Sequence, residues 1–497
     1  MSHDAPGALH LGTAQGRWVL LATVLGSGLA MLDGTVVNVA LARIGTDLDA
    51  GFSALQWVVN AYTLTLAALI LLGGALGDRF GRRRVFVVGV VWFAVASALC
   101  GLAPDAGTLI AARALQGVGG ALLTPGSLAI ISASFAATDR SAAVGAWSGL
   151  GGIAGAIGPF LGGWLVEWSW RAVFWINLPL AVVVVAVAAR HVPESRDVGS
   201  TAAPDVAGSV AAVVGLGGVS YALTEAGRPA GITAQVVLAG VVGVAGLVAF
   251  VVVQRRAAAP LVPPALVRVP QFVAANAVTL LVYAALGALF LLLVLHLQRV
   301  AGFGPLLAGL ALLPLTVVML LFSARAGALA RRIGPRLPMT VGPFVAACGV
   351  LLMLRIGPGA GYLTDVLPSV VVFAAGLALT VAPLTAAVME AAGDRHAGAA
   401  SAVNNAVARV AGLLAVALIP AVSGLSRAVD VATAERGFRA AVLIEAGLLV
   451  AGGVVAWLTI RGPAPAAPAT GARLPVEVHA HCGVTGPALH PRSETVG

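Results

Sequence analysis

Lysine is absent from this sequence, since all 29 basic residues are arginine. A nucleotide-binding phosphate loop needs its lysine, so a nucleotide-driven pump is excluded, and no cofactor is expected. The three cysteines give neither a paired framework nor metal-ligand spacing. We interpret the grouping of His479, His481 and Cys482 as chance, because no fourth metal ligand lies near them in the chain.

Charge is also scarce. Charged residues make up 10% of the chain and hydrophobic residues 59%, whereas soluble domains carry about 25% charge. A soluble fold cannot bury so much apolar surface. Apolar stretches recur from Trp18 to Ile460, and each is long enough to cross a bilayer core of about 30 Å. The first stretch has about 25 residues, well beyond the roughly 7–15 of a signal peptide, so no cleavable signal is expected.

The apolar stretches, separated by charged or Pro/Gly-rich segments, predict an all-α polytopic membrane protein with fourteen helices. An even number places both termini on one side of the membrane. The predicted spans are 18–42, 52–76, 85–103, 107–132, 142–165, 172–189, 206–224, 230–253, 271–297, 304–324, 337–354, 366–389, 397–425 and 440–460.

Arginine is distributed unevenly between the two sets of loops. If the N terminus is cytoplasmic, the inner loops hold sixteen arginines and the outer loops eight. The positive-inside rule favours this orientation. We expect the protein to lie in the inner membrane of a bacterium. Residues 1–17 then form a cytoplasmic N-terminal tail. Residues 461–497, rich in Pro, Ala and Gly, are expected to be a disordered cytoplasmic tail.

A ten-residue segment beginning at Gly74 recurs at Gly327, with six identical positions. Both copies fall on predicted cytoplasmic loops, and a second pair, Asp139-Arg140 and Asp394-Arg395, recurs at a similar offset. Parallel repeats of this kind are typical of the major facilitator fold, with the substrate site between the halves. We expect two six-helix bundles, 18–190 and 271–460, joined by a linker, 191–270, that contains two extra helices.

Five motifs carry a closer resemblance. They are Leu-Asp-Gly-Thr-Val-Val-Asn-Val-Ala-Leu at 32–41, the loop 74–84, Arg-Ala-Leu-Gln-Gly-Val-Gly-Gly at 113–120 with Thr124-Pro125, the Gly-rich segment 151–163, and 401–409. With them the chain resembles the fourteen-helix drug:proton antiporters of the EmrB/QacA type over residues 17–460. The resemblance implies a multidrug or antibiotic efflux transporter that works by alternating access. In the second loop copy Arg331 replaces the acid of the first, so we expect that copy to be a positioning element.

Asp33 and Arg113 are the candidate proton-coupling residues. Asp33 lies about 22 Å along the first helix, and Arg113 lies about 10 Å from the outer end of the fourth, so they can share a depth. Burial disfavours a charged carboxylate and an arginine favours it, so a moving cavity wall can switch its proton on and off. The alternative is a static ion pair that helps the bundle to fold.

Three further groups of residues are candidate sites. A substrate cavity is predicted from polar or small residues on helical faces; Arg409 and Glu445 either line it or pair structurally. The charges of the first loop copy are predicted to form a lock between helices; the simpler alternative is that they only set the membrane topology. The Gly-Pro segment of the fifth helix is predicted to be either a hinge or a plain packing face. The cavity residues are Thr35, Asn38, Gln116, Gly120, Thr124, Asn404, Asn405, Arg409 and Glu445; the gating loop is Gly74, Gly77, Asp78, Arg79, Gly81, Arg82 and Arg83; the antiporter helix is Gly151, Gly155, Gly158, Pro159, Gly162 and Gly163.

The expected partners are protons, the lipid bilayer and a small amphipathic substrate, neutral or singly charged, without nucleic acid or nucleotide; the protein is expected to be a monomer. A proton-coupled symporter on the same fold is the nearest alternative, and a membrane sensor or scaffold that does not transport is a second. An enzyme is not expected, because there is no paired catalytic His/Glu spacing and no nucleophile motif with a base.

Overall fold

Helices dominate the structure because backbone polar groups in a bilayer must find their hydrogen-bond partners within the same segment. The computed structural model describes residues 9–196, 205–228, 231–257 and 260–461, so the predicted C-terminal tail lies almost wholly outside the described residues. The long helices are α1 (Ala14–Asp47), α2 (Phe52–Phe80), α3 (Arg82–Leu102), α4 (Ala106–Ser134), α5 (Ala137–Trp168), α6 (Ala172–His191), α7 (Val206–Ala226), α8 (Ala234–Arg256), α9 (Pro270–Arg299), α10 (Pro305–Ile333), α11 (Arg336–Arg355), α12 (Tyr362–Gly393), α13 (Ala399–Ser423) and α14 (Val431–Thr459).

Thirteen of these helices are long and apolar enough to cross a membrane on the described residues. The other, α5, has 32 residues and packs along α1. This agrees with the predicted fourteen and with the all-α class. Helix α12 passes into α13 through Gly393, whose φ of 66° breaks the helical backbone where a loop was predicted.

Side chains cap several helix starts. Thr13, Asp105, Asp205, Thr233 and Asp430 each accept a hydrogen bond from a backbone N–H in the first turn of the helix that follows. Such caps satisfy donors that have no partner inside the helix. They locate the beginnings of α1, α4, α7, α8 and α14.

Small residues set the helix contacts within each half. In the first half a Cβ on Gly119 of α4 would lie 2.7 Å from the Phe93 backbone nitrogen of α3. In the second half Gly349 of α11 meets Phe373 of α12 in the same way, and Gly376 of α12 lies against Ala346 of α11. Backbones at this distance leave no space for a side chain, so these positions bring the helices into direct contact.

We call the face that carries the α1–α2 and α3–α4 loops distal, and the face that carries the α2–α3 loop proximal. Several contacts among the described residues join the two halves near the distal face, and three of them show how closely the helices approach. The Gln298 amide donates to the Val39 carbonyl at 3.0 Å, and the Gln56 amide donates to the Val416 carbonyl at 2.6 Å. At the third, Gly163 of α5 packs against Pro305 of α10. The two halves are therefore closed against each other on the distal side.

Helices α7 and α8 form a hairpin inserted between the halves. Gly218 on α7 and Gly243 on α8 bring the two backbones together. Helix α7 also packs against α2 of the first half and α13 of the second, through a cluster that includes Leu64, Leu216 and Leu413. The hairpin thus covers one seam between the halves.

Candidate functional site

Asp33 lies in the middle of α1 and is fully buried. Arg113 of α4 is 1% exposed and forms an ion pair with it through Nη1. Helices α1 and α4 are in contact, and that contact brings the two side chains to the same depth. The sequence-predicted pair is therefore assembled inside the first bundle.

Two amides complete the hydrogen bonding of the Asp33 carboxylate. Gln116 Nε2 donates to Asp33 Oδ1 at 2.8 Å, and Asn177 Nδ2 of α6 donates to the same oxygen at 3.1 Å. The Gln116 amide oxygen in turn accepts from Arg113 Nη1 at 2.6 Å. Asn177 also donates to Ser97 Oγ of α3 at 3.0 Å. Asp33, Arg113, Gln116, Asn177 and Ser97, here called the Asp33 cluster, thus connect α1, α3, α4 and α6.

Arg113 has partners on its other sides as well. Its Nε donates to the Val58 carbonyl of α2 at 3.0 Å, and its guanidinium carbon stands 4.3 Å from the centroid of the Tyr62 ring. Tyr62 donates through its hydroxyl to the Ala30 carbonyl at 3.1 Å. Charge-assisted hydrogen bonds and a cation–π contact make this an environment for an ionised pair.

The predicted cavity residues of the first half divide into two groups. Gln116 is fully buried in the Asp33 cluster, and Gly120 faces Leu66 and the Tyr62 hydroxyl. Thr35 and Asn38 are half-buried on α1, where each donates to a carbonyl of its own helix, and Thr124 is half-buried on α4. Among the described residues, Asn38 Oδ1 and Thr124 Oγ1 have no hydrogen-bond partner.

In the second half, Asn404 and Asn405 of α13 differ in their surroundings. Asn404 donates to Asn276 at 3.1 Å and to Thr279 at 2.8 Å, both on α9. Asn405 is exposed. Asn404 therefore helps to join α9 to α13, whereas Asn405 donates only to the Ser401 carbonyl of its own helix, at 3.1 Å.

Arg409 and Glu445 form no ion pair with each other within the part of the chain that the structure describes. Arg409 is half-buried and its electrostatic neighbours are Tyr62 of the first half and Tyr283 of the second. Glu445 is fully buried on α14, and both of its carboxylate oxygens are without a hydrogen-bond partner among the described residues. Of the two, Arg409 is the side chain that lies between the halves.

The first copy of the repeated loop holds a cluster of charges. Arg82 binds Asp78 four residues before it, at 2.8 Å, and the Arg83 backbone N–H donates to Glu194 Oε1 at 3.1 Å. The Gly81 backbone has a φ of 108°, and a Cβ there would lie 2.7 Å from Glu194 Oε1. Both features require glycine at this position. Glu194, which follows α6, was missed by sequence reasoning, although it is an acid in a loop rich in arginine.

Three other residues of this loop have apolar or backbone neighbours. Gly74 lies beside Pro125, Gly77 beside Arg82, and the Arg79 guanidinium carbon is 5.5 Å from the centroid of the Phe80 ring.

The second copy binds an aromatic ring in place of a carboxylate. Arg336 donates to the Trp457 carbonyl at 2.8 Å, and its guanidinium carbon lies 4.2 Å from the centroid of the Trp457 ring. Trp457 stands near the end of α14, the last helix of its half, just as Glu194 follows the last helix of the first half. Both copies therefore attach to the end of their bundle's final helix, by different chemistry.

The glycines of α5 serve two contacts. Gly158 packs against Thr35 of α1, and a Cβ on Gly162 would lie 3.0 Å from the Val36 carbonyl. A Cβ on Gly163 would lie 2.7 Å from the Pro305 carbonyl of α10, and the Pro159 carbonyl faces Gly309 of the same helix. Gly155 makes an ordinary contact with Met31, and the surroundings of Gly151 lie outside the described residues.

Comparison with known proteins gives a consistent result. A family model described as Major Facilitator Superfamily matches residues 23–416. The chain is 37% identical over 472 residues to a puromycin resistance protein of Streptomyces alboniger, covering 92% of this chain and 93% of that protein. It is 36% identical over 440 residues to a probable actinorhodin transporter of Streptomyces coelicolor, covering 84% and 75%.

Among solved structures, a bacterial homologue of the human lysosomal transporter Spinster, in an inward-facing and occupied conformation, is similar to this chain with a TM-score of 0.66. The two chains share 17% sequence identity, and the similarity covers 90% of this chain and 97% of the other. At this identity the likeness concerns the fold.

Proposed function

The chain belongs to the major facilitator superfamily, a family of transporters rather than enzymes, and from that premise we propose that it is a proton-coupled exporter of small amphipathic molecules. It exchanges substrate for protons by alternating access. Its relatives include a puromycin resistance protein and a probable actinorhodin transporter. The names of those relatives support a drug-like or antibiotic-like substrate.

The observation that carries the proposal is the buried Asp33 cluster. Intramembrane acids are costly and are usually functional. Asp33 accepts from Arg113, Gln116 and Asn177, so its ionised form is well satisfied in this arrangement. A proton on Asp33 weakens those bonds and loosens α1 from α4 and α6. Proton binding is thereby linked to helix packing, which is what coupling requires.

We propose that the proximal face is cytoplasmic, so that the distal closure makes this arrangement inward-facing. The substrate cavity then lies between the halves, with Thr35, Asn38, Thr124, Asn405 and Arg409 on its walls. Export requires the distal contacts of α5 with α10 and of α2 with α13 to open, and the proximal side to close. The α2–α3 loop, with Asp78 and Arg82, then exchanges its pairing within the loop for contacts across the bundles.

Everted membrane vesicles test this directly. With the vesicle interior acidified, an antiporter accumulates a fluorescent amphipathic substrate, and adding that substrate raises the internal pH as protons leave. A symporter moves substrate and protons in the same direction, so substrate entry would acidify the interior. A sensor or scaffold would show neither response. Vesicles with equal amounts of an unrelated membrane protein are the control.

A further inference from the structure

Glu445 is an acidic side chain with unusual surroundings. It lies at the middle of α14, is fully buried, and has no hydrogen-bond partner for either carboxylate oxygen among the described residues. Its neighbours on the same face of α14 are Ala441, Val442 and Leu449. An ionised carboxylate left unpaired in such a place costs several kcal/mol. These surroundings favour the neutral form of the acid, in which the side chain holds a proton.

The charged and titratable groups on the surrounding helices do not compensate Glu445. His296 of α9 stacks on the Phe438 ring, two turns from Glu445, and its Nε2 donates to the Ile356 carbonyl at 2.9 Å. The remaining candidates have other partners or lie at helix ends. They are Tyr283, which neighbours Arg409; Arg336, which binds Trp457; Cys348, which is exposed; and Glu435, which binds Arg439.

Its position along its helix matches that of the first acid. Asp33 stands fourteen residues before Asp47, the distal end of α1, and Glu445 stands fourteen residues after Val431, the distal end of α14. At 1.5 Å per residue, both lie about 21 Å from the distal ends of their helices. Each half therefore carries a buried acid at the same distance from the distal end of one of its helices.

A hollow of about 440 Å³ enters the seam between α9 and α14 from the proximal side. Ala277 of α9 and Val455 of α14 line it, and Arg268 and Thr459 stand near its mouth. Val455 is ten residues, or about 15 Å, from Glu445 along α14. Water that enters this seam needs to advance by that distance to meet the acid.

We propose that Glu445 is a second proton-binding site of the carrier, loaded in the arrangement seen here and emptied through the α9–α14 seam. In the release step the O–H bond of the acid breaks, the proton passes to water in the seam, and the carboxylate becomes hydrated. The inference rests on the proposed function and adds to it: each transport cycle exchanges the Asp33 proton and the Glu445 proton.

Infrared spectroscopy of the purified full chain tests the protonation. We expect the wild type to show a carbonyl band of a protonated carboxylic acid at neutral pH. The band should be lost in Glu445→Gln and kept in Glu435→Gln, a matched acid on the same helix. A band that persists in Glu445→Gln would overturn the proposal, because Glu445 would then be ionised.

The number of protons per substrate, measured in proteoliposomes from the gradients at which flux reverses, tests the carrier role. We expect Glu445→Gln and Glu445→Met to move one proton fewer per substrate than wild type, with Glu435→Gln unchanged. An unchanged ratio in a folded Glu445 variant would mean that the acid is only packing. Absence of coupled protons in the wild type would instead refute the proposed antiport itself. Two substitutions are used because either alone can impair folding.

Discussion

The two halves of this molecule each bury an acid near the middle of a helix and surround it in opposite ways. Asp33 of the first half has an arginine and two amides as partners, whereas Glu445 of the second half has no partner among the described residues. The two copies of the repeated loop also differ in their partners, because the first copy binds the carboxylate of Glu194 and the second binds Trp457. At these buried sites the first half pairs its acid with donors, and the second half surrounds its acid with apolar side chains. Paired charges resist neutralisation, and an excluded acid resists ionisation.

The largest effect is expected from Arg113→Leu. It leaves the Asp33 carboxylate buried without its counter-charge, so we expect a loss of about 3–5 kcal/mol in the free energy of unfolding. Glu445→Leu removes an acid that has no partner, so it should change stability by less than about 1.5 kcal/mol, as for other buried apolar replacements of similar volume. Unfolding in mixed detergent micelles measures the change in the free energy of unfolding for both variants. Equal losses would show that Glu445 depends on partners too.

Asp33→Asn separates coupling from folding. The amide keeps the shape of the acid but cannot exchange a proton. We expect pH-driven efflux in everted vesicles to fall to background while the protein remains inserted, and Asp33→Glu to retain part of it. Glu445→Gln should lower the proton ratio without abolishing efflux. Normal pH-driven efflux by Asp33→Asn would exclude Asp33 as the proton carrier and reverse the ranking of the two acids.

The loops allow a smaller test of the same difference. Asp78→Asn and Arg82→Ala should slow turnover more than they weaken substrate binding, because both residues lie on the proximal surface. Their pair is partly exposed, and its direct contribution to stability is at most about 1 kcal/mol. Arg331→Ala, in the second copy, should leave turnover near wild type. Reduced affinity with unchanged turnover would place Asp78 and Arg82 in the substrate site.

The smallest effect concerns the charge of the substrate. A dication needs two uncompensated carboxylates to offset its desolvation. Asp33 is already paired with Arg113 and Glu445 is enclosed, while Arg409 adds positive charge between the halves. We expect a divalent lipophilic dye to be exported more slowly than a monovalent one in competitive efflux. Equal or faster export of the divalent dye would reveal further acids in the cavity.

Much of the fold follows from the sequence, because membrane spans depend on local composition. The depth of Asp33 and Arg113 also follows, since it needs only the helix rise. The direction in which a side chain points is harder to infer. Gln116 lies three residues after Arg113 and was assigned to the cavity face, yet it points into the bundle toward Asp33. Its orientation depends on where α1 packs against α4, which a helical periodicity does not contain.

Glu194 and Glu445 illustrate two other limits. Glu194 lies 111 residues from its partner Arg83, and no local pattern links an acid after one helix to a loop between two others. Glu445 was placed between two roles, cavity lining and pairing with Arg409. Its enclosure by apolar residues arises from α9 and α11 packing on α14, so only the tertiary structure reveals it.

Helix α7 has a mechanical consequence for opening the distal face. At its distal end Glu225 accepts from Ser53 of the first half at 2.8 Å, and the Gly227 carbonyl accepts from Arg427 of the second half at 3.2 Å. The distal end of the hairpin is therefore hydrogen-bonded to both halves. A rotation that separates α2 from α13 must break one of these two hydrogen bonds or deform the hairpin. The weaker of the two hydrogen bonds then limits how far the halves separate on the side of the hairpin. The contact between α5 and α10, on the other side, is left with more freedom to open.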